Sequence, residues 1–245
     1  MSNRVISIFF LTFIGLTSAV FFVIALSIWV LTVFFDRRLV LLHLFSSFWA
    51  SLYLWLMPAW SVHVAGRRKP AWQRHFVIVS NHQSQLDILV AFRLFIPFKW
   101  VSKAEVFNLP FIGWNMRLNR YIKLKRGDKA GIARMFVDCE KALSQGNSIF
   151  MFPEGTRSKT GDLKDFKPGA FVLAKKMGVP ILPVAINGTH AALPKYSLNF
   201  HGRQHMSIRV LDPILPEQFA DLSVEALSDK VHRTIAAALE KLPAA

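Results

Sequence analysis

Phe76-Val77-Ile78-Val79-Ser80-Asn81-His82-Gln83-Ser84-Gln85-Leu86-Asp87-Ile88-Leu89-Val90 passes from a β-branched apolar run, through a polar segment, into a second apolar run. Five residues of the first kind suit a buried strand, and the polar segment suits a turn that opens a helix over 86–94. The same succession recurs downstream. Strands are expected over 99–101, 121–124, 148–152, 181–186 and 206–211, with helices over 128–145 and 169–177. Alternation of this kind implies an α/β domain: a mostly parallel mixed sheet flanked by helices.

The helix after Asp128 has Ile132, Met135, Phe136, Cys139 and Leu143 at helical spacing, and Gly146 stands where a C-terminal stop belongs. Cys139 therefore reads as a core residue rather than a nucleophile. A last amphipathic helix, opened by Ser223, carries Val224, Leu227, Val231, Ile235, Ala238 and Leu242 on one face. Its mixture of Glu225, Asp229, Lys230, Glu240 and Lys241 is unlike a cationic membrane-binding face, so packing on the sheet is expected.

Composition narrows the class. Of 245 residues, 53% are hydrophobic and only 18% charged, with 22 Phe and 7 Trp, which excludes disorder. The single cysteine excludes an intrachain disulfide and a cysteine-based zinc site. No HExxH, cysteine pair or acidic cluster suggests a metal, and no resident cofactor is expected.

The charge of +15 is unevenly placed. Residues 1–65 carry only Arg4, Asp36, Arg37 and Arg38, and the remainder is strongly basic. Residues 5–35 contain no charge, nor do residues 39–65. The first run exceeds the roughly 20 residues needed to cross a bilayer core, and neither run has the length or cleavage site of a signal peptide. The reading divides the chain into a membrane-embedded helical hairpin, 1–65, and an α/β body, 66–245. Whether the hairpin spans the bilayer or lies re-entrant is left open. Arg37 and Arg38 at the turn, and Arg67, Arg68 and Lys69 after the second run, give only a weak orientation bias. Trp29, Trp49, Trp55 and Trp60 read as interface anchors, and His43 and His63 as interfacial groups. A basic body tethered in this way suits an anionic leaflet, and no nucleic-acid motif competes for it.

His82 and Asp87 stand five residues apart, about 140° around a single helix, and would not meet there. They meet if His82 lies on the turn and Asp87 in the first helical turn. The carboxylate then fixes the imidazole tautomer and leaves the other nitrogen free as a general base. Ser84-x-x-Asp87 equally reads as a helix-capping arrangement. On spacing alone the two readings are level.

Asn81-His82-x4-Asp87 together with Phe152-Pro153-Glu154-Gly155-Thr156-Arg157-Ser158 resembles the glycerolipid acyltransferase family that includes the 1-acyl-sn-glycerol-3-phosphate acyltransferases. Lys103-Ala104-Glu105-Val106-Phe107 with Pro110 and Gly113, Arg126, Phe166-Lys167-Pro168-Gly169-Ala170 and Val179-Pro180-Ile181-Leu182-Pro183-Val184 follow in the family's order, so the resemblance spans about 75–190. It implies that His82 deprotonates an acceptor hydroxyl attacking an acyl thioester, with Asp87 orienting the histidine. It implies that Glu154, Gly155, Thr156 and Arg157 bind the glycerol-phosphate acceptor, with Arg126 as a second phosphate contact. The family commonly has aspartate before that arginine, and Lys125 stands here instead, a departure that bears on the acceptor's identity. Lys103 reads as exposed, and Pro180 and Pro183 as structural.

The resemblance implies an O-acyltransferase that moves an acyl group from acyl-CoA or acyl-carrier protein to the sn-2 hydroxyl of 1-acylglycerol 3-phosphate, giving phosphatidate. The alternatives are another acceptor, such as a lyso-ornithine lipid or glycerol 3-phosphate, or a non-catalytic lipid-binding membrane protein. The expected partners are membrane lipid and the acyl carrier. The expected location is a bacterial inner membrane, with the body on the cytoplasmic face.

Overall fold

A computed structural model describes residues 3–67, 74–197 and 199–242. Two helices open the chain, α1 (Asn3–Thr32) and α2 (Val40–Leu56), followed by strand β1 (Trp60–Ala65). Then come β2 (Val77–Ser80), α3 (Leu86–Phe92), β3 (Phe98–Lys103), α4 (Ile112–Leu118), β4 (Ile122–Leu124), α5 (Lys129–Ser144) and β5 (Ser148–Met151). The chain ends with α6 (Gly169–Met177), β6 (Ile181–Asn187), α7 (Thr189–Ala192), β7 (Gln204–Val210) and α8 (Val224–Glu240).

The strands form one seven-stranded sheet in the order β1-β7-β6-β2-β5-β3-β4. Neighbours are parallel except β6 and β7, so the expected mostly parallel mixed sheet is what the chain forms. β2 and β5 lie in its interior with every residue buried. Their side chains alternate between two cores, as the two-residue period of a strand requires. Ile78 and Phe150 enter a core shared with α2 and α3, while Val77, Val79, Ile149 and Met151 enter one shared with α5, α6 and α8. Leu227, Val231 and Ile235 seat α8 in the second core, and Cys139 is fully buried there beside Met135.

The helix ends carry their expected chemistry. The Asp128 carboxylate accepts the Ala130 N–H at the start of α5, and Ser223 Oγ accepts the Ala226 N–H at the start of α8. Gly113 has a steric cause, because a Cβ there would lie 2.5 Å from the Phe107 carbonyl oxygen. The short α4 can therefore press against the 3₁₀ stretch, Ala104–Asn108, that follows β3.

The apolar N-terminus departs from expectation in its second half. α1 and α2 do pair as an antiparallel hairpin, with Thr17 Oγ1 2.9 Å from the Tyr53 hydroxyl and Phe21 packed on Trp49. α2, however, is turned inward: His43, Ser46, Ser47, Trp49, Ser51, Tyr53 and Leu54 are buried. Trp60–Ala65, read as the end of the apolar hairpin, is instead an edge strand of the sheet and pairs with β7. Trp49 and Trp60 are consequently core residues rather than interface anchors. His43 is likewise not interfacial, since its Nδ1 lies 2.9 Å from the buried Tyr121 hydroxyl. Arg68 and Lys69, invoked for orientation, lie outside the described residues.

α1 keeps the expected character. It is the one described helix long and apolar enough to cross a membrane. Phe9, Leu16, Leu31, Phe34 and Phe35 are each 70% or more exposed, along the helix and just beyond its end. Ser7 Oγ accepts the Phe200 N–H, and Phe10 packs edge-on against Trp60 and Phe200. The start of α1 is thus returned to the body of the protein.

Candidate active site

β2 ends at Ser80, and the backbone leaves the sheet through Asn81-His82-Gln83 before α3 begins. Asn81 anchors this exit: its amide donates to the Ile186 carbonyl at 2.8 Å and accepts the Ile186 N–H at 2.9 Å. The loop after β5 leaves the sheet alongside it and clasps His82 by the backbone on both sides. Glu154 Oε1 accepts the His82 N–H at 2.7 Å, and the Ser158 N–H donates to the His82 carbonyl at 2.8 Å. The site thus lies at the carboxyl ends of two adjacent parallel strands, where open α/β sheets form their ligand crevices.

His82 Nδ1 lies 2.8 Å from Asp87 Oδ2. The same oxygen accepts the backbone N–H groups of Gln83 at 2.7 Å and Ser84 at 2.8 Å, and Thr189 donates its hydroxyl to Oδ1. An oxygen already accepting two N–H groups takes a third donor from Nδ1–H, which fixes the neutral tautomer with its lone pair on Nε2. Asp87 is fully buried and His82 is 13% exposed at its side chain. Nε2 has no hydrogen-bond partner among the described residues and is not sealed from solvent.

The two readings of this segment are therefore one arrangement. Asp87 reaches back to the Ser84 N–H while Ser84 Oγ accepts the Leu86 N–H at 3.2 Å, so both side chains satisfy backbone donors at the start of α3. Ser84 takes the N–H two residues on rather than the one three residues on that a full capping box uses. The carboxylate that caps α3 also orients the imidazole. Ser84 Oγ donates to the Leu193 carbonyl at 2.6 Å, which ties the hydroxyl into the scaffold.

The loop 152–158 is shaped by Gly155, whose φ of +72° lies in the left-handed region. A Cβ there would meet the Lys167 side chain at 3.0 Å. Thr156 Oγ1 receives the Lys195 ammonium at 3.2 Å, and the same ammonium donates to the Arg157 carbonyl at 2.8 Å. The Arg157 guanidinium is half-buried and unpaired among the described residues. Glu154 differs from its neighbours because it is 3% exposed and points inward at the His82 backbone. Its second oxygen, Oε2, is buried without a partner. Burial raises its pKa to about 7, partly offset by the His82 N–H and by the charge of Lys164.

Among the expected site residues, the structure brings His82, Asp87 and the Glu154–Arg157 loop together. It does not bring Lys125 and Arg126 into contact with them. Both are exposed after the edge strand β4, and Lys125 pairs with Asp128 at 3.4 Å. Lys103 is also exposed and pairs with Glu105 at 3.2 Å. Sequence reasoning missed Thr189 and Lys195, which reach the site from elsewhere in the chain, and it named Lys167 only as part of a motif, without its place beside Gly155. It also missed the role of Phe152, whose ring lies flat on the His82 imidazole with Trp100 stacked behind it.

The chain matches the acyltransferase family model over residues 61–187. It is 33% identical over 233 residues to a chloroplastic 1-acyl-sn-glycerol-3-phosphate acyltransferase of Brassica napus, covering 94% of this chain and 67% of that protein. To a chloroplastic 1-acyl-sn-glycerol-3-phosphate acyltransferase of Arabidopsis thaliana it is 34% identical over 216 residues, covering 87% of this chain and 60% of that one. Among solved structures it resembles the 1-acyl-sn-glycerophosphate acyltransferase PlsC from Thermotoga maritima, with a TM-score of 0.78, 24% identity, and 98% and 97% of the two chains covered. That likeness establishes a shared fold. With its family model matched over more than half its length and its relatives over most of it, the chain belongs to the 1-acyl-sn-glycerol-3-phosphate acyltransferase family.

Proposed function

We propose that the protein transfers a fatty acyl group from the thioester of acyl-CoA or acyl-carrier protein to the sn-2 hydroxyl of 1-acylglycerol 3-phosphate, yielding phosphatidate and a free thiol. The observation that carries this reading is the His82–Asp87 pair, closed at 2.8 Å on the Nδ1 side and open at Nε2. In the reaction Nε2 removes the hydroxyl proton as the oxygen attacks the thioester carbonyl. Asp87 stabilises the imidazolium, and collapse of the tetrahedral intermediate breaks the carbon–sulfur bond. The imidazolium then returns the proton to the departing thiolate. Thiolate is a sufficiently good leaving group that no acyl-enzyme is required.

Arg157 takes the acceptor phosphate in this reading, because its unpaired guanidinium matches a phosphate bidentately and its loop is fastened directly to His82. Lys125 and Arg126 are assigned a weaker, peripheral share, because Lys125 is already engaged by Asp128. The exposed apolar surface of α1 holds the body at the membrane, where a lyso-lipid resides. We place that body on the cytoplasmic face of a bacterial inner membrane.

The test is acyl transfer by the purified protein, offered acyl-CoA, and separately acyl-carrier protein, with an equal mixture of lysophosphatidate, lyso-ornithine lipid and glycerol 3-phosphate. Products are read by mass. Phosphatidate as the dominant product supports the assignment, and preferential acylation of either competitor overturns it.

A further inference from the structure

A second basic recess lies at the opposite end of the sheet, at the amino ends of β3, β4 and β5. It encloses about 260 Å³ and is walled by Arg37, Lys99, Arg120 and Lys141, with Asp138 as its one acid. Lys99 is 4% exposed, an unusual position for an ammonium without a carboxylate partner. Its Nζ donates to the carbonyls of Arg38 and Asn119, each at 2.9 Å, and no ion pair reaches it among the described residues. Two of its three donors are thereby used. Burial lowers its pKa to about 7, and Arg120 and Arg38 push it further down than Asp36 can restore.

Two features bear on what would fill the recess. Arg120 holds a left-handed backbone at φ +54°, an arrangement that costs a non-glycine residue free energy, and its guanidinium donates to the Arg37 backbone carbonyl at 3.4 Å. The recess also adjoins the turn between α1 and α2, where Phe34 and Phe35 are 85% and 71% exposed next to Arg37. Bare aromatic side chains flanking a cationic hollow at the end of an apolar helix match the boundary between acyl chains and phosphate headgroups.

We propose that the Arg37–Lys99–Arg120 recess binds the phosphate headgroup of an anionic membrane phospholipid, separately from the lyso-lipid acceptor in the catalytic crevice. Guanidinium groups from the hairpin turn and from the loop before β4 grip the headgroup oxygens, and the third proton of Lys99 reaches them from below. The lipid thereby supplies the negative charge the recess lacks and fastens the hairpin to the body. The lipid identity rests on reading α1 as a membrane segment, whereas the anion preference rests on the recess alone.

The full chain in zwitterionic detergent is titrated with dioctanoyl phosphatidylglycerol, dioctanoyl phosphatidylcholine and inorganic phosphate while its thermal midpoint is followed. A saturable rise is expected with the phosphatidylglycerol only. The concentration giving half of that rise should increase at least about tenfold in Arg37→Ala/Arg120→Ala. It should be unchanged in Arg233→Ala/Lys241→Ala, which removes the same charge from exposed positions near the chain end, and in Arg157→Ala. The same rise from inorganic phosphate would reassign the recess to a free anion. Loss in Arg157→Ala would place the lipid in the catalytic crevice, and equal behaviour of the two double variants would remove the site. None of these results depends on acyl transfer being observed.

Discussion

The ring of Phe152 lies parallel to the imidazole of His82, with centroids 4.0 Å apart and planes 13° from coincidence. An aromatic face carries negative charge density, so this stack would favour the imidazolium that the proposed mechanism forms on His82. Phe152→Leu should lower kcat by roughly 3- to 30-fold, the equivalent of about 0.7–2 kcal/mol, with the acceptor KM unchanged. Phe152→Tyr should retain most of the activity. Steady-state kinetics over a pH series checks both.

Asp87 holds the turn and the tautomer at once. Asp87→Asn should lower kcat by about 10²–10⁴ through loss of the imidazole's orientation and charge partner. Asp87→Ala should also lower the thermal midpoint, because it leaves the Gln83 and Ser84 N–H groups without their acceptor and the Thr189 hydroxyl with only its 3.3 Å contact to Gln83 Oε1. Each such buried group costs about 1–3 kcal/mol. Measuring turnover and unfolding on both variants separates the two duties.

Glu154 is argued to position the His82 backbone rather than touch the acceptor. Glu154→Gln keeps an acceptor for the His82 N–H and should keep kcat within about threefold. Glu154→Ala should lower kcat by severalfold or more, leaving acceptor KM unchanged, since it removes the buried acceptor of the His82 N–H, a bond of about 0.5–1.5 kcal/mol. If KM rises instead, the residue binds substrate.

The raised pKa of Glu154 also sets a sign for stability against pH. The folded state holds this proton up to about pH 7, while the unfolded chain releases it near 4.5. The contribution is therefore complete below the unfolded pKa and is lost as pH rises through the folded one. Within that window wild type should lose up to about 1.4 kcal/mol per pH unit relative to Glu154→Gln. Denaturant unfolding at pH 5, 6 and 7 reads the difference.

Arg157→Ala should raise the KM for lysophosphatidate with little change in that for acyl-CoA, because a guanidinium that grips phosphate in ground and transition states alike contributes uniform binding. Equal KM values for wild type and variant would remove Arg157 from the acceptor site.

The sequence exposed most of the central sheet because β2, β5 and β6 are buried on both faces and read as unbroken apolar runs. Trp60–Ala65 carries no comparable sign. It continues an uncharged stretch, and only its pairing with β7, more than 140 residues downstream, makes it a strand. The buried serines and His43 of α2 were similarly ambiguous. Ser46 is bonded by Asn115 and Asn119, and His43 by Tyr121, groups that come from α4 and the segment that leads into β4.

At the site, local spacing allowed His82 and Asp87 to meet within one turn-to-helix transition but left the capping reading equally open, and only the accompanying motifs favoured the pair. Thr189 and Lys195 were invisible. A threonine opening a short helix or a lysine in a loop signals nothing until tertiary structure places its side chain against a carboxylate or a backbone carbonyl. The inward turn of Glu154 was hidden too, since a motif identifies a residue without stating which way it faces.

The central claim is that His82 Nε2 is the general base, and the most direct measurement is acyl transfer from acyl-CoA to lysophosphatidate by wild type and His82→Ala, both purified in the same lipid or detergent. Phosphatidate formed by wild type, with turnover reduced by about 10²–10⁴ in the variant and membrane attachment unchanged, is the predicted result. Equal turnover by the two proteins would contradict it.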